Sequence, residues 1–209
     1  MLFKNRFDAA EQLAERLQKY KGKKDVVILA IPRGALEIGN VLAKKLQLPL
    51  DIVLTKKIGH PDNPEMAIGA VSLVSQTIDP HFSEVSKAYL QQEIPELRKK
   101  LKERSQKYRG KKTFQNLKDK IVLLVDDGIA MGHTMSAAID LVRKEKPKKI
   151  VVAVPVGSQE AVSMLQQKAD EVICLSIPES FMAIGQFYQQ FEQVEDEEAM
   201  RLLKDANKK

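Results

Sequence analysis

Apolar residues fall into two alternating patterns along the chain. Short runs, apolar at nearly every position, stand at Val26–Ile31, Asp51–Thr55, Ile121–Val125, Ile150–Val156 and Glu171–Leu175. A strand with one wet face shows a polar residue at every second place. These runs mostly do not, which predicts strands covered on both faces of a parallel sheet. Between them, apolar residues recur at helical spacing. Ala10, Leu13, Ala14 and Leu17 form one stripe, Ile38, Val41, Leu42 and Leu46 another, and Met135, Ala138, Ile139 and Val142 a third. Strand alternating with helix predicts an α/β fold: a doubly wound, mostly parallel sheet with helices on both faces. Ligands of such sheets bind beyond the carboxyl ends of the strands, so the residues just after each strand are the candidates for chemistry.

Two stretches break the alternation. Thr55–Ser75 is rich in Gly and Pro and reads as a long loop leading into a short strand pair. Ser83–Arg109 reads as a long polar helix interrupted near Pro95, which starts helices well and sits badly inside them. There is no internal repeat, low-complexity linker or clear second domain.

Composition narrows the class. With 209 residues, 44% hydrophobic and 30% charged, the chain has the make-up of a folded soluble domain. The single Cys174 excludes a disulfide scaffold and reads as a small buried hydrophobe. No apolar run approaches the length of a membrane span, and the charged N-terminus shows no secretory leader. A reducing, cytoplasmic compartment is the expectation. The net charge of +6 raises the question of nucleic acid. Without Trp, and with aromatics at 5%, a stacking surface is not expected. Arg98, Lys99, Lys100, Lys102, Arg104, Lys107, Arg109, Lys111 and Lys112 crowd one segment. On a helix they spread over several faces, so they read as solvated; steering of a small polyanion is the functional alternative, RNA comes third, and neither nucleic acid nor membrane is expected as a partner. His60 and His81 show no partner pattern for zinc.

The strongest chemical signal is Ile121–Thr134, IVLLVDDGIAMGHT. A strand runs into two adjacent carboxylates, Asp126 and Asp127. The small loop Gly128, Ile129, Ala130, Met131, Gly132, His133 follows, and Thr134 opens a helix. Loop and helix start offer unpaired N–H groups with the positive end of a helix dipole behind them, which suits a phosphate. Paired carboxylates suit vicinal hydroxyls or a hydrated divalent cation. A second signal is Val26–Ala35, where a strand ends in Pro32, Arg33 and Gly34. Arg33 is a donor fork for phosphate, and Gly34 admits close backbone approach. Lys56 and Lys57, with Gly59 nearby, follow the second strand within reach of an anion. Phe181, Phe187, Tyr188 and Phe191 gather after the last core strand, where core packing is the default. The first βα turn lacks the G-x-G-x-x-G of dinucleotide binding, and Asp126–Asp127–Gly128 fits a carboxylate-nucleophile phosphatase poorly.

In this order, these segments resemble the type I phosphoribosyltransferases. The sequence is most similar to a bacterial subgroup of uncharacterised members, over roughly Phe7 to Ala199. The resemblance implies one phosphoribosyltransferase-like domain over residues 1–209, a helical insertion at about 83–110 and a small C-terminal hood at about 177–209. It implies that Asp126 and Asp127 hold the ribose hydroxyls of phosphoribosyl diphosphate (PRPP). Gly128–Thr134 would hold its 5-phosphate, with Ala130–Thr134 as the central contacts. Pro32, Arg33 and Gly34 become the pyrophosphate loop, with a cis Pro32–Arg33 peptide. Lys56, Lys57 and Gly59 belong to a lid. Phe181 and Phe187 are candidates for the base pocket. Mg2+ is the implied cofactor, bound mainly through PRPP and also by Asp126 and Asp127. Asp126, Asp127, Arg33 and Lys56 are the implied catalytic residues.

Two departures stand out. Met131 replaces the family's usual first Thr of the phosphate loop; losing that hydroxyl would cost about 1.5–3 kcal/mol if it bonded the charged phosphate. Ala130 stands where 6-oxopurine enzymes place an Asp, and their acidic residue after the hood aromatic is missing too, so a 6-oxopurine acceptor is disfavoured. The expected activity is transfer of the 5-phosphoribosyl group to or from a nitrogenous base. The alternative is a non-catalytic PRPP or nucleotide sensor. A homo-oligomer is left open.

Overall fold

The computed structural model describes residues 2–82, 84–110 and 115–208. In chain order its elements are α1 (Arg6–Arg16), β1 (Val26–Ala30), α2 (Ala35–Leu46), β2 (Leu50–Ile52), β3 (Lys56–His60), β4 (Asn63–Val71) and β5 (Gln76–Ile78). Then follow α3 (Lys87–Arg109), β6 (Ile121–Val125), α4 (His133–Lys144), β7 (Lys149–Val156), α5 (Gln159–Gln166), β8 (Glu171–Ser176) and α6 (Asp196–Ala206). A five-stranded sheet has the order β2-β1-β6-β7-β8, with every pairing parallel.

The unbroken apolar strands have a direct cause. Val26, Ile28 and Ala30 of β1 and Leu123 and Val125 of β6 point into one core, shared with Ala10 and Leu13 of α1 and Ile38 and Leu42 of α2. Their neighbours Val27, Leu29, Val122 and Leu124 point into a second core, with Met135, Ile139 and Val142 of α4 and Leu165 of α5. Each strand residue therefore meets a helix layer whichever way it faces. β8 is the exception: as the sheet's edge it is half-buried along its length.

Two expectations change. Thr55–Ser75 is not a loop in its first half. It forms β3 and β4, which pair antiparallel with a register shift at Gly59, and β5 completes a three-stranded sheet. Gly and Pro mark close backbone approach here rather than irregularity: a Cβ on Gly59 would lie 2.6 Å from the Pro64 carbonyl oxygen. Ile58, Ile68 and Val71 of this sheet are buried in the main core. Nor does Pro95 interrupt α3, which runs through it from Lys87 to Arg109. Ile94, Leu97, Leu101 and Tyr108 bury one face of that helix, and this packing outweighs the hydrogen bond that Pro95 cannot donate.

The basic stretch is also less solvated than its composition implies. The Arg109 side chain is buried: its Nε donates to Asp51 Oδ1 at 2.6 Å and its Nη2 to the Ile52 carbonyl at 2.5 Å. Arg98 reaches Gln76 Oε1 at 3.0 Å. Lys99, Lys100, Lys102 and Lys107 are exposed as expected. Ser83, Lys111 and Lys112 lie outside the described residues.

Candidate functional site

The signals separated in sequence converge at the carboxyl ends of β1 and β6. Pro32, Arg33 and Gly34 turn the chain from β1 into α2, and the Pro32–Arg33 peptide is cis. Asp126 and Asp127 follow β6 directly. Gly34 lies against the second carboxylate so closely that an added Cβ would fall on Asp127 Oδ2.

The loop after the acid pair is pinned from one side. Ile129 donates its N–H to the Val156 carbonyl at 2.9 Å and accepts from Ser158 N at 2.9 Å. Ser158 Oγ donates to the Ala130 carbonyl at 2.6 Å. Gly132, with φ of 76°, opens α4 with no side-chain cap. Among the described residues, none accepts from the N–H groups of Ala130, Met131, Gly132, His133 or Thr134. A pinned carbonyl side and an unpaired N–H side, at the positive end of α4, form a cradle suited to a phosphate. Met131 is 73% exposed on this loop and makes no polar contribution to it.

A cleft of about 830 Å³ opens between the small sheet and the start of α4. Lys56 and Lys57 line it from the sheet, and His133 and Thr134 from the helix. His81 also faces it, with Asp79 Oδ1 at 2.8 Å from its Nδ1. Arg33 and the acid pair stand outside this lining. Arg33 Nη1 instead meets Glu195 Oε2 at 3.2 Å, just before α6. The structure thus unites the two lysines with the phosphate loop, and the pyrophosphate-loop candidate with the hood.

The acid pair is electrostatically loaded. Burial and the charge of Asp127 push the Asp126 carboxyl well above its ordinary range. Burial raises Asp127 as well, against the pull of Arg6. Arg6 is the residue that sequence reasoning missed. Its Nε donates to Asp127 Oδ2 at 2.7 Å, with side chains 7% and 12% exposed. A signal was present: Arg6, Ala10, Leu13 and Leu17 fall at helical spacing, so a cation sits on the apolar stripe of α1.

The hood packs over these residues. Tyr188 Oη donates to the Asp127 carbonyl at 2.6 Å. A Cβ on Gly128 would lie 2.6 Å from Ile184 Cγ2. Phe187 is buried in the core and the Phe181 ring packs against it at a 45° tilt, centroids 5.0 Å apart. Met182 is 88% exposed.

Magnesium is the cofactor implied by the resemblance, and the donor set fits it only in part. Among the described residues no group of three or more His, Cys, Asp or Glu side chains stands together as a metal site. Asp126 and Asp127 supply carboxylate oxygens, one of them already on Arg6. Such a set fits a cation that completes its shell with water and substrate oxygens, which is the habit of Mg2+.

A parallel sheet with an acid pair and a run of unpaired N–H groups beyond its carboxyl ends is an α/β fold whose ligand side suits a phosphate-bearing molecule. A family model of the phosphoribosyl transferase domain matches residues 2–192, and the chain belongs to that family. Two curated proteins of Mycobacterium tuberculosis, strains CDC 1551 / Oshkosh and ATCC 25618 / H37Rv, bear provisional phosphoribosyl transferase names. Each is 36% identical over 215 residues, covering 99% of this chain and 47% of its own. The chain therefore spans about half the length of the curated relatives it matches. The crystal structure of TT1426 from Thermus thermophilus is similar throughout: 39% identity and a TM-score of 0.86, covering 97% of this chain and 98% of that one.

Proposed function

We propose that the protein binds PRPP with Mg2+ and transfers the 5-phosphoribosyl group between diphosphate and a nitrogenous base. The observation that carries this reading is the acid pair followed by a cradle of unpaired N–H groups on α4, beside the Pro32–Arg33–Gly34 turn. The N–H groups of Ala130–Thr134 receive the 5-phosphate. Lys56, across the cleft, and Arg33 neutralise the diphosphate as it leaves. Asp126 accepts from the ribose hydroxyls, and the cationic ribose that forms as the bond to diphosphate breaks favours the ionised form of this raised carboxyl and is stabilised by it in turn. Mg2+, held by the diphosphate, water and the acid pair, adds charge stabilisation when bound. Catalysis is then mainly positioning and electrostatics, with the hood excluding water from the reacting carbon. Phe181 is half-buried and the better candidate for the base, because Phe187 is committed to the core.

Calorimetry with PRPP and Mg2+ tests the reading. The wild type is expected to bind, and Asp126→Asn with Asp127→Asn to lose binding. A wild type that does not bind, or a double variant that binds unchanged, sinks the proposal. Met131, exposed where the family carries a hydroxyl, favours a second reading: a PRPP sensor without turnover. Release of diphosphate with any member of a base panel decides against the sensor.

A further inference from the structure

Arg6 does more than meet one carboxylate. Besides Asp127 Oδ2, it reaches Glu37 Oε2 at 3.0 Å and the Glu192 carbonyl at 2.8 Å, both through Nη1. Its guanidinium lies over the Phe191 ring, 3.8 Å from the centroid. Asp127 is fixed as firmly on its other sides, by Tyr188 on its carbonyl and by the Gly34 backbone. Four stretches far apart in sequence therefore meet around the Arg6–Asp127 pair: α1, the turn into α2 with Glu37, the end of β6 and the C-terminal segment. Asp126 is held differently. It is half-buried, and the hydrogen bond it accepts is the local one from Asp127 N to Oδ1, at 2.9 Å.

We propose that the two acids divide their labour: Arg6 makes Asp127 a structural clasp with one oxygen committed, and Asp126, outside any ion pair among the described residues, carries the larger share of ligand binding. Arg6 takes Oδ2 of Asp127, so a ribose hydroxyl reaches that oxygen only by breaking a buried charge-assisted bond that a neutral hydroxyl does not replace, and Oδ1 alone is left to a ligand. Asp126 forms no ion pair among the described residues and has none to give up. The pair is thus not a symmetric hydroxyl clamp. Asp127 chiefly closes the N-terminal helix and the C-terminal segment onto the site, and Asp126 does most of the recognition. Arg6 is a positioning residue in this scheme. The clasp stands on its own geometry; the identity of the ligand rests on the phosphoribosyl reading.

The test pairs thermal midpoints without ligand with calorimetric affinity for PRPP and Mg2+, on the full chain. Asp126→Asn is expected to leave the midpoint unchanged or raised and to weaken binding at least tenfold. Asp127→Asn, which keeps an oxygen for Arg6, is expected to lower the midpoint and to weaken binding no more than threefold. Arg6→Met should lower the midpoint further than Arg6→Met combined with Asp127→Leu, because the second change removes the stranded charge. Should Arg6→Met not fold, Arg6→Lys with and without Asp127→Asn supplies the same cycle. Equal affinity losses at Asp126 and Asp127 overturn the division. Additive midpoints overturn the clasp. Coupled midpoints together with a wild type that does not bind PRPP leave the clasp standing and overturn the phosphoribosyl reading instead.

Discussion

Gly34 shows how tightly single residues are constrained at this edge. An added methyl group there falls on Asp127 Oδ2, and Arg6 prevents that oxygen from moving aside. Gly34→Ala is expected to cost about 2–3 kcal/mol, as overpacking does in a rigid site, and to lower the denaturant midpoint accordingly. Glu195 offers the opposite case. It occupies the Arg33 guanidinium at 3.2 Å from a position 61% exposed, so the contact is weak and competes with any anion. Glu195→Gln is expected to tighten PRPP binding two- to fivefold with stability unchanged. Unaltered affinity would show that Arg33 does not take the diphosphate.

Elements are held by ion pairs of different worth. The Arg109–Asp51 pair, with side chains 5% and 7% exposed, ties the end of α3 to β2. Removing one partner leaves a buried charge, so Arg109→Met is expected to cost about 3–5 kcal/mol, read as a loss in unfolding free energy. At the sheet's other edge, Glu171 of β8 takes Lys149 at 2.7 Å, Lys19 at 2.6 Å and Tyr20 at 3.1 Å. Burial alone would raise its pKa, but these bonds prevail and hold it at about 2, below its ordinary 4.5. A depressed carboxylate stabilises the fold above its unfolded pKa. That contribution fades as pH falls from 4.5 through about 2. Glu171→Gln should therefore flatten the acid limb of a stability–pH curve in that window. It should also lower stability at neutral pH by about 1–2 kcal/mol, a figure reduced for the partly exposed lysines. An unchanged acid limb would show that the trio is solvated in solution.

Across the molecule, no helix among the described residues is long and apolar enough to cross a membrane. The +6 charge does not form one basic face: part of it is internal, in Arg6 and Arg109, and part is scattered along α3. The alternation of strand and helix, the parallel sheet and the small-residue loop after the acid pair were legible in the sequence because each rests on local signals. Strands apolar at every position need two helical layers, and small residues after a strand leave N–H groups free. The cis Pro32–Arg33 peptide came from the family resemblance, and the structure has it. What escaped was non-local. The Gly- and Pro-rich stretch pairs as β3–β5 because Ile58, Ile68 and Val71 find a core that periodicity alone could not show. Pro95 is tolerated because α3 is packed, and Arg98 and Arg109 are bound because β2 and β5 lie where they do. The sequence by itself determined the layers, the acid pair and the family. The tertiary structure decided which carboxylate enters the ion pair, since that depends on Glu37, Asp127 and Phe191 meeting on Arg6 across 185 positions of chain, from 6 to 191, and no local preference encodes such a meeting.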